Sequence, residues 1–174
     1  MPMLFFPSCF LGAYASLLIP EMSESLAAGQ KKSISSVTER SLRMTLLFSI
    51  FVASFFFSFG EEVGLLFYRS RESGQFLRLL APLVPLIYLD MVTDGLLKGL
   101  DQQIRSLLYN TLDASLRVAL LAGILPLFGL RGYFAILYSC GILNVTLSLS
   151  RLLKTARVRF SFLYWLILPL VGAG

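Results

Sequence analysis

One apolar run near the middle of the chain constrains the fold more than any other stretch. Phe76–Leu100 (FLRLLAPLVPLIYLDMVTDGLLKGL) is long enough to cross a bilayer, because a spanning helix needs about 20 mostly apolar residues. A helix places its Asp90, Asp94 and Lys98 on one stripe, since they follow one another at intervals of four. Acidic side chains inside a membrane are kept mainly where they face a partner or a water-filled path. We therefore predict a functional stripe; the alternative is that these charges merely end the span at the headgroup boundary.

Two prolines interrupt the same run. Pro82 and Pro85 have no backbone N–H, so the first half of the helix cannot keep a full hydrogen-bond ladder. They are candidates for a hinge, and the alternative is a tolerated kink. Gly95 and Gly99 have the GxxxG spacing of closely packed helices, but Lys98 lies inside the motif and weakens that evidence.

The composition places the chain in a membrane. It is 56% hydrophobic and 14% charged, with a mean hydropathy of +0.77, whereas soluble domains carry roughly 25% charged residues. The net charge of +5 indicates basic loops that meet anionic lipid rather than a nucleic-acid site. We therefore expect membrane lipids as partners and no nucleic acid.

Most catalytic and metal sites have no basis in this sequence. The chain has no His, and Cys9 and Cys140 are isolated in apolar runs, so the commonest general base and metal ligand are missing. Phosphate-binding GK[ST], GxSxG and HExxH motifs are absent too. We predict no catalytic residues, no metal, no cofactor and no enzyme activity, although the acidic pair alone does not exclude an intramembrane hydrolase.

The hydropathy pattern predicts an all-α membrane protein with a single domain over residues 1–174. About six transmembrane helices are expected, at approximately 3–19, 44–60, 76–98, 104–128, 133–149 and 161–171. Residues 27–30 predict a helix end, 63–68 an interfacial dip and 69–75 a loop. Tight turns are predicted at 101–103 and 129–132.

The distribution of Lys and Arg predicts the orientation of these spans. Connections after the first, third and fifth spans hold ten basic residues, and those after the second and fourth hold four. Arg117, inside the fourth span, is the fifteenth. Because basic loops stay inside, we expect residues 21–43, 98–105 and 151–159 on the cytoplasmic side of the cell membrane.

Further polar residues are predicted at the depth of Asp90. Asp90 lies eight residues before Lys98, and Asp113 lies eight after Arg105, so both are expected roughly 12 Å from the cytoplasmic face. The short turn at 101–103 makes their helices antiparallel neighbours, so Asp90 and Asp113 could approach one another. The substrate-cavity candidates are Asp90, Asp94, Asn110, Asp113, Arg117 and Asn144.

This set of residues has a functional and a structural interpretation. In the first, the residues line a cavity for a polar or anionic headgroup, and Arg117 supplies the charge and directional hydrogen bonds that a phosphate needs. In the second, Asp113 and Arg117 neutralise each other and lock two helices together.

Several stretches of the sequence resemble one group of membrane transporters. Residues 76–118 (FLRLLAPLVPLIYLDMVTDGLLKGLDQQIRSLLYNTLDASLRV) are similar to the C-terminal lobe of the stage V sporulation protein B family and related polysaccharide-biosynthesis transporters. These belong to the MATE-like multidrug/oligosaccharidyl-lipid/polysaccharide flippase superfamily. The same order is kept by the shorter stretches SLLIPEMSE (16–24), GEE (60–62), LFY (66–68) and LFGLRGY (127–133).

The resemblance implies a fold and a mechanism. Such transporters have two six-helix lobes around a central cavity, and the lobes rock to expose a lipid-linked saccharide to alternate sides. The chain then corresponds to helices eight to thirteen of fourteen, truncated at both ends, and its partner would be the missing N-terminal lobe or a second chain.

The resemblance and the polar stripe leave three functions open. The first is a segment of a flippase for a lipid-linked oligosaccharide or peptidoglycan precursor. The second is a cation-coupled multidrug exporter, in which Asp90, Asp94 or Asp113 would bind a proton or a sodium ion. The third is a truncated half-transporter without activity of its own.

Overall fold

The computed structural model describes residues 2–69 and 71–156, and this part of the chain is helical with no strand. Five α-helices follow one another along it. They are α1 (Pro2–Ala27), α2 (Lys31–Tyr68), α3 (Arg71–Leu80), α4 (Val84–Gly99) and α5 (Gln103–Ala156). The predicted all-α fold is confirmed.

Two of the predicted breaks between helices are found where the sequence places them. After α1, Gly29 adopts a φ of 64°, a left-handed conformation that favours glycine. Between α4 and α5, Asp101 adopts a φ of 57°, and the turn lasts from Leu100 to Gln102. Each break lets the next helix reverse onto the previous one.

Pro82 and Pro85 interrupt the apolar run Phe76–Leu100 as predicted. Ala81–Leu83 forms a short 3₁₀ segment between α3 and α4, with Pro82 and Pro85 at the starts of the 3₁₀ segment and of α4. A proline is tolerated there because the first N–H groups of a helix have no partner inside it. Gly74–Gly99 nevertheless remains long and apolar enough to cross a membrane.

The helix boundaries around residue 65 differ from those that the sequence predicts. No interfacial dip follows Gly60, because α2 continues through residues 61–68. The expected loop at 69–75 is shorter, since α3 begins at Arg71. The reason is tertiary: a Cβ on Gly74 would lie 2.6 Å from the Cα of Glu61, and Glu61 pairs with Arg78 across 3.7 Å. The last turns of α2 are therefore held by contact with α3.

Helix α5 is a hairpin of two arms joined at Gly129. This glycine has non-helical angles (φ 56°, ψ −140°) and separates a first arm (residues 103–128) from a second arm (130–156). In one straight helix, Asn110 and Asn144 would be about 51 Å apart. They instead bond to Asp94 and Asp90, only four residues apart on α4. The chain therefore reverses at Gly129, as the predicted turn at 129–132 requires.

Helix α4 lies at the centre of the described structure. It is packed against α1, α2 and α5, and Tyr88, Val92 and Leu96 are fully buried. A Cβ on Gly99 would lie 2.6 Å from that of Met22, so α1 and α4 touch almost backbone to backbone. Contacts with these three helices therefore cover most of the surface of α4.

The chain is a multi-pass membrane protein. Three helical segments of the described structure are long and apolar enough to cross a bilayer, namely Lys31–Phe67, Gly74–Gly99 and Gly132–Ala156. The predicted sixth span at 161–171 and residues 157–159 of the predicted basic loop lie outside the described residues. Residues 151–156 of that loop are helical instead, because α5 continues to Ala156.

Candidate substrate cavity

A cavity of about 490 Å³ lies between α4 and the two arms of α5. The 3₁₀ segment and the start of α4 form one wall, and the second arm of α5 forms the opposite wall. Its lining residues are Leu80, Leu83, Leu86, Ile87, Asp90, Arg117, Tyr133, Leu137, Gly141, Asn144 and Val145. Three of the six residues predicted to form a substrate site therefore line one space.

The polar end of this cavity is held together by a hydrogen bond between distant parts of the chain. The Asn144 amide Nδ2 donates to Asp90 Oδ1 at 3.1 Å, which fixes the second arm of α5 against α4. Asn144 is only 7% exposed, and its Oδ1 is buried with no hydrogen-bond partner among the described residues. An unpaired buried acceptor is costly, so this carbonyl oxygen is available to a donor that enters the cavity.

Arg117 brings the positive charge to the same end. Its Nη2 donates to Asp113 Oδ2 at 2.8 Å, an i,i+4 pair that the sequence predicts. The Nε of Arg117 is buried without a partner in the described structure. Asp113 is not among the cavity-lining residues, so it orients Arg117 from outside the lining. Asp90 and Asp113 lie close enough to interact electrostatically, and each carboxylate accepts a hydrogen bond from a different partner.

The rest of the cavity is apolar. Leu80, Leu83, Leu86 and Ile87 form an aliphatic wall, about 12 Å long from residue 80 to residue 87 at 2.0 Å per 3₁₀ residue and 1.5 Å per α-helical residue. The space is therefore amphipathic, with charge at the Asp90 end and hydrocarbon along its length.

Asp94, Lys98 and Asn110 form a different cluster beside the turn between α4 and α5. Lys98 Nζ lies 2.6 Å from Asp94 Oδ2, and Asn110 Nδ2 donates to Asp94 Oδ1 at 3.4 Å in an exposed position. Lys98 and Asn110 line a separate groove of about 360 Å³. The predicted site is thus divided: Asp94 and Asn110 do not reach the cavity that Asp90 lines.

The predicted hinge residues lie next to the cavity wall. Pro82 and Pro85 flank Leu83, which lines the cavity. The Tyr138 hydroxyl donates to the Leu79 carbonyl at 2.6 Å, so the second arm of α5 is tied to the helix just before the break. A hydrogen bond therefore joins the proline break to the second arm of α5, which forms the opposite wall of the cavity.

Sequence reasoning named three of the eleven lining residues, and Gly141 is among the eight that it missed. Gly141 lies three residues before Asn144 and therefore on the same face of the second arm, a signal that was available. Leu83 and Leu86 approach within 4.0 Å of where a Gly141 Cβ would be, which is ordinary contact distance, so a small side chain fits there and a bulky one would narrow the cavity.

A family model matches more than half of the chain. The MatE model aligns with residues 3–122, and this range includes Asp90, Asp113 and Arg117 but not Asn144. Neither a curated protein nor a solved structure matches the chain.

Proposed function

The chain belongs to the MatE family of membrane transporters, and we propose that it forms the part of a flippase that holds a lipid-linked oligosaccharide or peptidoglycan precursor. In this proposal the chain works with an N-terminal lobe or a second chain, and rocking of the two halves exposes the cavity to alternate sides of the cell membrane. The family consists of transporters, which is consistent with the prediction of no catalytic residues.

The amphipathic cavity carries the proposal. A lipid-linked saccharide has a polar head and a long apolar tail, and the cavity offers polar groups at one end and an aliphatic wall along its length. Asn144 Oδ1 can accept a hydrogen bond, and Arg117 Nε can donate one. A head with hydroxyl and phosphate groups presents both kinds of partner.

The position of the polar end supports the same substrate. Phe48 of α2 stacks on Tyr88 of α4, and Asp90 lies two residues further along α4, which runs antiparallel to α2. Counting along both helices places Asp90 about 5 Å inside the level of Arg43, which is shallower than the roughly 12 Å expected when the depth is counted from Lys98. The polar groups would then lie close to the headgroups when residues 21–43 and 98–105 face the cytoplasm, as the distribution of basic residues predicts.

The proposal is tested by substitutions in the native gene, so that every segment and partner of the transporter stays present. Asp90→Asn and Arg117→Gln should each lower the turnover of a lipid-linked saccharide in membrane vesicles by about tenfold or more, since each removes a charge from the cavity. Asp94→Asn is the matched control, because Asp94 lies outside the cavity; it should retain most of the activity. Membrane insertion of all three should be unchanged. Normal turnover by both cavity variants would overturn the site assignment.

One observation favours a second candidate, a cation-coupled multidrug exporter. Asp90 lines the cavity, and Asp113, which lies outside the lining, pairs with Arg117. The summed charge of this region is therefore −1, and a region with net negative charge attracts cations. In such an exporter Asp90 would bind a proton, a sodium ion or a cationic drug. Efflux that follows an imposed ion gradient and is lost in Asp90→Asn would favour the exporter, whereas saccharide-lipid movement that does not depend on the gradient would favour the flippase.

A further inference from the structure

A second groove lies on the outer face of α2, away from the cavity. It has a volume of about 460 Å³ and is lined by Ser36, Glu39, Arg40, Arg43, Met44 and Leu47. Positions 36, 40, 43, 44 and 47 follow the i, i+4, i+7 spacing of one helix face. The groove therefore changes along a single face from hydroxyl and guanidinium groups to thioether and aliphatic groups.

This change from polar to apolar coincides with the expected edge of the bilayer. Residues 44–60 of α2 contain no charged residue, and Arg43 and Glu61 bracket them. The bracketed stretch spans about 27 Å at 1.5 Å per residue, close to the roughly 30 Å of hydrocarbon in a bilayer. Arg40 and Arg43 are thus placed at the phosphate level, with Met44 and Leu47 just below it.

The two arginines are available to a ligand from outside the chain. Both are exposed, and neither forms a salt bridge with a described residue. Glu39 lies beside them in the groove, so the net charge there is +1, which matches a headgroup with one negative charge. Met44 and Leu47 are 52% and 45% exposed and continue toward Phe51, which is 71% exposed; these side chains form an apolar track for an acyl chain.

We propose that this groove binds an anionic phospholipid of the surrounding leaflet. Arg40 and Arg43 contact the phosphodiester, as planar guanidinium groups do well, while Ser36 donates a further hydrogen bond and Met44 and Leu47 contact the first part of an acyl chain. The site is separate from the cavity between α4 and α5 and does not depend on which substrate the transporter carries.

The test compares the binding of phosphatidylglycerol and phosphatidylcholine to the purified transporter, measured as lipid adducts by native mass spectrometry. The double variant Arg40→Gln/Arg43→Gln should lower the affinity for phosphatidylglycerol by about 10- to 30-fold, since each basic side chain near an anionic headgroup contributes about 1 kcal/mol. The affinity for phosphatidylcholine should change little. Helical circular dichroism of the variant should match the parent, because both side chains are exposed.

Three controls make the result decisive. Lys31→Gln/Lys32→Gln removes the same charge from the start of α2, outside the groove, and should preserve the preference for phosphatidylglycerol. An equal loss in this control would mean diffuse charge attraction and would overturn the proposal. Met44→Ser/Leu47→Ser should weaken binding several-fold, and no effect would also overturn it. Displacement of the lipid by millimolar inorganic phosphate would show a free-anion site instead.

Discussion

Two carboxylates four residues apart on α4 are in very different surroundings. Asp90 faces a cavity and accepts a hydrogen bond from Asn144, which is 54 positions further along the chain. Asp94 pairs with Lys98 of its own helix, and that lysine side chain is 46% exposed. The face of α4 that carries both carboxylates therefore lines the cavity at Asp90 and is exposed at Lys98. Spacing along α4 determines the direction in which each carboxylate points. The two arms of α5 determine which side chains surround it.

The two asparagines that bond to these carboxylates give the largest expected difference. Asn144→Leu removes a partly buried hydrogen bond to a charged group, worth about 1.5–3 kcal/mol, and should reduce substrate turnover by about 10- to 100-fold. Asn110→Leu makes the same chemical change at an exposed 3.4 Å contact and should reduce it less than twofold. Equal effects of the two substitutions in a vesicle transport assay would break the distinction between the two clusters.

Removal of the carboxylate behind Arg117 should have an intermediate effect. Asp113→Asn leaves the cavity arginine without its charged partner at 2.8 Å. A fully buried pair would lose about 3–5 kcal/mol, but the Arg117 side chain is 37% exposed, so we expect a loss of about 1–2 kcal/mol. The free energy of unfolding in detergent measures it. Asp113→Asn/Arg117→Met should recover part of the loss; a double variant no more stable than Asp113→Asn would argue against a strained, unpaired arginine.

The more exposed of the two ion pairs, with side chains 46% and 21% exposed, should give the smallest effect. Lys98→Met breaks the contact with Asp94, and exposed ion pairs contribute roughly 0–1 kcal/mol. We therefore expect the free energy of unfolding to fall by about 0.5 kcal/mol or less, with turnover unchanged. A loss as large as that of Asp113→Asn would mean that the Asp94 cluster is as important as the cavity.

Much of this arrangement could be predicted from local sequence. The interruption at Pro82 and Pro85 follows from the missing N–H groups, and the Asp113–Arg117 pair follows from i,i+4 spacing. The turn at Gly129 was expected from its glycines.

The parts that could not be predicted depend on tertiary contacts. The extension of α2 through residues 61–68 requires the contact of Gly74 with Glu61, which no local pattern of α2 encodes. Asp90 and Asp94 have different surroundings because the second arm of α5 brings Asn144 to Asp90 and not to Asp94. Lys98 within the GxxxG motif argues against a close approach of two helices there. Gly99 nevertheless packs closely against α1, because Lys98 pairs with Asp94.

Protection of an introduced cysteine by substrate shows whether a lipid-linked saccharide occupies the Asp90 end of the cavity. Gly141→Cys places a thiol on the cavity wall, and Asn110→Cys places one in the Asp94 cluster; both are made in a Cys9→Ser/Cys140→Ala background. A lipid-linked saccharide at ten times its Kd should slow maleimide labelling of Gly141→Cys about tenfold and leave Asn110→Cys unchanged. Labelling of Gly141→Cys that is unaffected by the lipid, or slowed equally at both positions, would contradict the account.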